Sequence, residues 1–140
     1  MRDTPLVGLR ILIVDDEVLV LMELADMLAD LGHIVVASEN RLESALAIAR
    51  TEPIDMAILD INLRGLTSFP VAQVLRRRGV AVIFASGYGP SGLNEEFREA
   101  HFLSKPYCMD TLGAMVVKAH DAMSALPSNR KLRHSQNHLH

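Results

Sequence analysis

Leu9-Arg10-Ile11-Leu12-Ile13-Val14-Asp15-Asp16-Glu17 is the stretch on which the fold turns. A short apolar run rich in β-branched residues stops abruptly at three acids. Residues 9–14 read as a strand buried on both faces, as in the middle of a parallel sheet. Beyond the acids, Val18, Leu21, Ala25, Leu28 and Leu31 recur at helical spacing, which predicts a helix over 17–31, stopped by Gly32.

The same alternation continues along the chain. HIVVAS (33–38) reads as a second strand. Asn40 with Glu43 three places on reads as a capping box opening a helix to about Arg50. Glu52-Pro53 breaks that helix, and IDMAILDI (54–61) reads as a third strand. Ser68 is the expected cap of a helix with Pro70 in its first turn, running to Arg78 before Gly79. VAVIFAS (80–86) and AHFLS (100–104) read as strands four and five. Leu112, Met115, Val116, Ala119 and Met123 mark a last amphipathic helix. Strands alternating with helices imply an α/β fold, a doubly wound parallel five-stranded sheet with helices on both faces.

Bulk properties narrow the function. A length of 140 residues suggests one domain, expected over 1–126. Residues 127–140, PSNRKLRHSQNHLH, have almost nothing to bury and are expected to form a flexible tail. Aromatic residues make up only 4%, so aliphatic side chains and methionine must build the core. A net charge of −3 is too mild to indicate a nucleic-acid or membrane partner. Cys108 is the one cysteine, which excludes an internal disulfide and a cysteine zinc cluster. The first residues lack a signal-peptide core, and no apolar run approaches the ~20 residues of a membrane span. A soluble cytoplasmic protein is expected.

The polar residues fall at telling places. Asp15 and Asp16 end strand one, Asp60 ends strand three, Ser86 ends strand four, and Lys105 lies just past strand five. In an open parallel sheet these ends share one edge, and ligands bind there where strand order reverses. If strand one is flanked by two and three, Asp15, Asp16 and Asp60 converge. Carboxylates so close repel one another unless one is neutral or a cation binds. Oxygen-only ligands favour a hard ion, Mg²⁺ above all. A carboxylate can then attack phosphorus to give an aspartyl phosphate. The equatorial oxygens of the transferring group need neutralising, which Mg²⁺, the Lys105 ammonium and the Ser86 hydroxyl can each do.

These residues resemble the receiver domain of two-component response regulators: Asp15-Asp16, Asp60 after MAIL, Ser86 after VIFA, then Lys105-Pro106. The resemblance covers about residues 8–125 and implies a flavodoxin-like sheet of strand order 2-1-3-4-5. It implies that Asp60 is the phosphoacceptor, and that Asp16, Asp60 and the backbone carbonyl of Asn62 bind Mg²⁺, with Asp15 acting through a metal-bound water. It further implies that Lys105, aimed by a cis peptide to Pro106, pairs with the phosphoryl oxygens, and that Ser86 and Phe102 are the switch residues. FASGYG (84–89) and DINLRG (60–65) resemble a subgroup nicknamed FAT GUY, mostly receivers without an output domain. Departures are visible: Ser86 replaces the motif's Thr, Arg64 stands where many receivers have Pro, and Phe102 where the switch aromatic is often Tyr.

The implied function is that of a single-domain response regulator, not a classical enzyme. Its expected partners are a histidine kinase or histidine phosphotransfer protein and a downstream protein target. It is expected to be a monomer or weak dimer, with no nucleic acid or membrane bound. Rival readings are an aspartyl-phosphate phosphatase and a non-phosphorylated receiver-like interaction module. The first usually needs Asp-x-Asp, where this chain has Asp15-Asp16 and Asp60-Ile61-Asn62; the intact acidic set argues against the second.

Other features have plainer readings. The acids at 15–17 taken alone would simply favour a helix N-terminus, and Arg76-Arg77-Arg78 a helix C-terminus. A partner-docking patch is the alternative for the arginines. Cys108 is expected to be unreactive. Gly87 to Asn94 is so rich in Gly, Pro and Ser that 87–99 is expected to be a loop or frayed helix, ordered when Ser86 turns towards a phosphoryl group.

Overall fold

The computed structural model describes residues 5–126. Five strands form one parallel sheet: β1 (Arg10–Val14), β2 (Ile34–Glu39), β3 (Met56–Asp60), β6 (Ala81–Ser86) and β7 (His101–Ser104), in the order β2-β1-β3-β6-β7. A two-residue hairpin, β4 (Asn62–Leu63) with β5 (Leu66–Thr67), sits between β3 and the next helix. With that hairpin set aside, the order is the expected 2-1-3-4-5. The tail expected at 127–140 lies outside the described residues.

The helices are α1 (Val18–Asp30), α2 (Leu42–Thr51), α3 (Phe69–Arg77) and α4 (Met109–Ala125). Alternation along β1 sorts the core into two layers. Leu12 and Val14 join Ala45 and Ala49 of α2 and Val71, Ala72 and Leu75 of α3. Ile11 and Ile13 point the other way, onto Leu21, Leu24 and Leu28 of α1 and Leu112, Val116 and Ala119 of α4. Each layer closes one face of the sheet, which is why β1, β3 and β6 are apolar almost throughout. Among the described residues, no helix is long and apolar enough to cross a membrane.

Three local expectations need correcting. The capping box at Asn40 does not form: β2 runs to Glu39, so the N-cap of α2 is Arg41, with no side-chain capping bond. Ser68 is the N-cap of α3, but its hydroxyl makes no capping bond, and its buried Oγ has no hydrogen-bond partner among the described residues. Val18, counted among the apolar residues at helical spacing in α1, does not join its buried face and is 53% exposed.

The segment after β6 contains no α-helix, as expected, only two 3-10 turns at Pro90–Gly92 and Glu95–Phe97. Its second half is not frayed. Asn94 accepts a hydrogen bond from the Phe97 amide, and the Phe97 ring is fully buried.

Candidate functional site

Parallel pairing brings the acidic residues level. Val14 pairs with Leu59, so Asp15 and Asp60 follow side by side at the ends of β1 and β3, and Asp60 pairs in turn with Ala85, one residue before Ser86. Carboxylate oxygens of Asp15, Asp16 and Asp60 all lie within 4.8 Å of one another. Asp15 is almost fully buried. Its Oδ1 accepts from the Glu17 amide at 2.9 Å, and its Oδ2 meets the Lys105 ammonium at 2.5 Å. The same ammonium is 3.8 Å from Asp60 Oδ1.

One ammonium does not balance three carboxylates. Partial burial raises the Asp60 carboxyl to about 6, with Asp15 and Asp16 adding to the shift and Lys105 opposing it. Relief by a divalent cation fits the donor set, which offers carboxylate oxygens close together and no nitrogen or sulfur. Asn62, whose main-chain carbonyl the resemblance makes a further ligand, begins the hairpin two residues after Asp60.

Ser86 and Lys105 are joined through the backbone, the Lys105 amide donating to the Ser86 carbonyl at 3.0 Å. The Ser86 hydroxyl is buried and accepts from the Tyr88 amide at 3.1 Å, closing a turn at the end of β6. Lys105-Pro106 is a cis peptide. Phe102 is half-buried, pairs with Phe84 across β6 and β7, and packs against the α2–α3 layer. Thus Asp15, Asp16, Asp60 and Lys105 are brought together, with Ser86 at the adjoining strand end and Phe102 one strand further out.

Several contacts around the site were not anticipated from the sequence. Arg64, at the hairpin tip, holds a left-handed backbone with φ 54°, and its amide donates to Asp16 Oδ2 at 3.4 Å. Gly65 donates to Asn62 Oδ1 at 2.9 Å, and an Asn three places before a Gly is the visible signal for that turn. Tyr107 lies beside the site; burial pushes its phenol up to about 12, and Asp15, Glu23 and Asp60 add to the effect. Cys108, expected to be unreactive, is exposed, and its contact with the Thr111 hydroxyl at 3.2 Å holds the thiol below its ordinary pKa.

The family described as the response regulator receiver domain matches residues 11–117. The virulence sensor protein BvgS of Bordetella pertussis is 39% identical over 85 residues, covering 61% of this chain but 6% of its own length. The transcriptional regulatory protein PdtaR of Mycobacterium tuberculosis is 26% identical over 107 residues, covering 74% of this chain and 52% of its own. This chain therefore spans about half, or far less, of these curated relatives. Among solved structures, SdrG from Sphingomonas melonis Fr1 is 39% identical, covering 84% of this chain and 98% of its own, with a TM-score of 0.71. The receiver domain of PhyR from Erythrobacter litoralis is 26% identical, covering 81% and 90%, with a TM-score of 0.71.

Proposed function

The chain belongs to the response regulator receiver domain family, and from that premise we propose that it accepts a phosphoryl group on Asp60 from a histidine kinase or histidine phosphotransfer protein. The observation that carries the proposal is the convergence of Asp15, Asp16 and Asp60 with the Lys105 ammonium at the ends of β1, β3 and β7.

In the reaction, a carboxylate oxygen of Asp60 attacks phosphorus in line with the donor's imidazole nitrogen. The new O–P bond forms as the N–P bond breaks, and the departing nitrogen keeps the electron pair and takes up a proton. Asp16, Asp60 and the Asn62 carbonyl would hold Mg²⁺, with Asp15 acting through a water. When bound, the ion supplies positive charge to the phosphoryl oxygens. Lys105, held by Asp15 within reach of Asp60, takes a second phosphoryl oxygen, and the Ser86 hydroxyl donates to a third.

Signalling then proceeds through protein contacts, in the cytoplasm, with residues 1–126 as the receiver. Beryllofluoride, which mimics an aspartyl phosphate, tests the reading. With Mg²⁺ present, fluorine NMR should show a bound signal on the wild-type protein and none on Asp60→Asn. A bound signal of equal strength on both proteins overturns the assignment.

A further inference from the structure

The three consecutive arginines after Leu75 have three different surroundings. Arg78 Nη1 donates to the carbonyls of Ala49 and Glu52 and so closes the C-terminal end of α2. Among the described residues, the Arg77 side chain makes no hydrogen bond or ion pair. Arg76 lies with its guanidinium carbon 4.5 Å from the centre of the Phe97 ring, and its Nη1 donates to the Glu96 carbonyl at 3.3 Å. One turn earlier on α3, Gln73 Nε2 donates to Glu96 Oε1 at 3.0 Å. Two side chains of α3 thus grip the turn at Glu95–Phe97.

That turn is tied on its inner side to the strand that carries Ser86. The Phe97 ring is 5.2 Å from Phe84 and 5.3 Å from Phe69, and Phe69 and Phe84 are 5.8 Å apart. Phe84 is fully buried on β6, two residues before Ser86, and Phe69 opens α3. Close-packed aromatic rings transmit displacement, because no void is available to absorb it. Upstream of the turn the chain is different in kind. Gly87 to Gly92 includes Gly89 at φ 81° and Tyr88 at 93% exposure, and none of its residues is buried.

We propose that the Arg76–Phe97 latch couples the state of Ser86 to α3, so that the surface altered by phosphorylation includes the Gln73–Arg77 face of that helix. This rests on the phosphoacceptor reading above. When the Ser86 hydroxyl rotates towards a phosphoryl oxygen, its bond to the Tyr88 amide breaks or draws Tyr88 with it. The glycine-rich half of the connection gives way freely. The end of β6 moves against Phe97 instead, and the latch passes that movement to α3. Arg76 and Phe97 are positioning residues, since neither touches the reacting atoms.

Amide hydrogen exchange on the full chain, with and without beryllofluoride and Mg²⁺, tests the coupling. In the wild type, exchange should change several-fold at Ser86–Tyr88, at the 94–98 turn and at residues 73–77 of α3. Arg76→Met keeps the alkyl packing but removes the guanidinium. It should leave the change at Ser86–Tyr88 intact and lose most of the change at 73–77. Phe97→Leu should act in the same direction, and Arg76→Met decides the matter if that variant does not fold. An α3 response of undiminished size in Arg76→Met overturns the proposal, as does a wild type that responds at Ser86–Tyr88 and not in α3. A wild type that responds nowhere, Asp60 included, overturns the phosphoacceptor reading and this inference with it.

Discussion

The Lys105 ammonium sits 2.5 Å from Asp15 Oδ2 and is held there, rather than on Asp60, whose Oδ1 is 3.8 Å away. Asp15 is the most buried of the three carboxylates, and the lysine compensates its charge. The same lysine is anchored to β6 through its amide on the Ser86 carbonyl. It is therefore positioned before any phosphoryl group arrives.

Removing that ammonium should separate metal binding from phosphoryl transfer. Lys105→Ala should bind Mg²⁺ at least as tightly as the wild type, because a positive charge beside the carboxylates is gone. Phosphorylation by a small phosphodonor should slow by about 100-fold, since an electrostatic contact to the transferring group is lost. Calorimetry and the rate of mass gain check the two halves. A variant that loses Mg²⁺ yet is phosphorylated normally would reverse these roles.

Among the carboxylates, Asp16→Asn should weaken Mg²⁺ binding most. Asp16 is proposed as a direct ligand and Asp15 as one that acts through water, and Asp15 is already engaged by Lys105. Titration of Asp16→Asn beside Asp15→Asn measures the order. Equal affinity for Asp16→Asn and wild type would remove Asp16 from the site.

Stability should fall on mild acidification through His33. The ring is buried, and its Nδ1 accepts from the Leu9 amide at 3.3 Å. Burial, followed by the nearby His120, holds its pKa below the ordinary 6.5. Below pH 6.5 the unfolded chain therefore takes up a proton that the folded one resists, and folding weakens as pH falls through that window. His101, also lowered by burial, acts in the same sense. The Asp60 carboxyl, raised to about 6, acts in the opposite sense, so the test is the difference between two proteins: from about pH 7.5 to about pH 5.5 the Tm of the wild type should fall relative to that of His33→Gln. Identical pH dependence in the two proteins would exclude His33 as a source.

Ser68 offers an unusual test, because a serine at a helix N-cap normally stabilises. Here the hydroxyl makes no capping bond and is buried with no hydrogen-bond partner among the described residues. Ser68→Ala should leave stability unchanged or raise it by about 1 kcal/mol. Urea unfolding measures this. A loss of about 1 kcal/mol would mean that the hydroxyl is hydrogen-bonded after all.

The sheet and its acidic edge were legible because both rest on long-range regularities. Apolar runs such as 9–14 and 80–85 have nowhere to go but the middle of a parallel sheet, and the acids at their ends must then share an edge. What escaped is decided by single contacts. The Asn62–Thr67 hairpin has strands too short to show a period. The cap of α2 moved because β2 runs on to Glu39, leaving only Asn40 and Arg41 to connect the two elements. Phe97 stands alone in a segment poor in apolar residues. Its burial follows from Phe69, Phe84 and Arg76, which are distant in sequence and carry no shared pattern.

The most direct test of the central claim is intact mass after incubation with a small phosphodonor and Mg²⁺. The wild-type chain should gain the mass of one phosphoryl group, the gain should vanish when Mg²⁺ is chelated, and Asp60→Asn should gain none. A wild type that stays unmodified, or an Asp60→Asn variant labelled to the same extent, would contradict the assignment of Asp60 as phosphoacceptor.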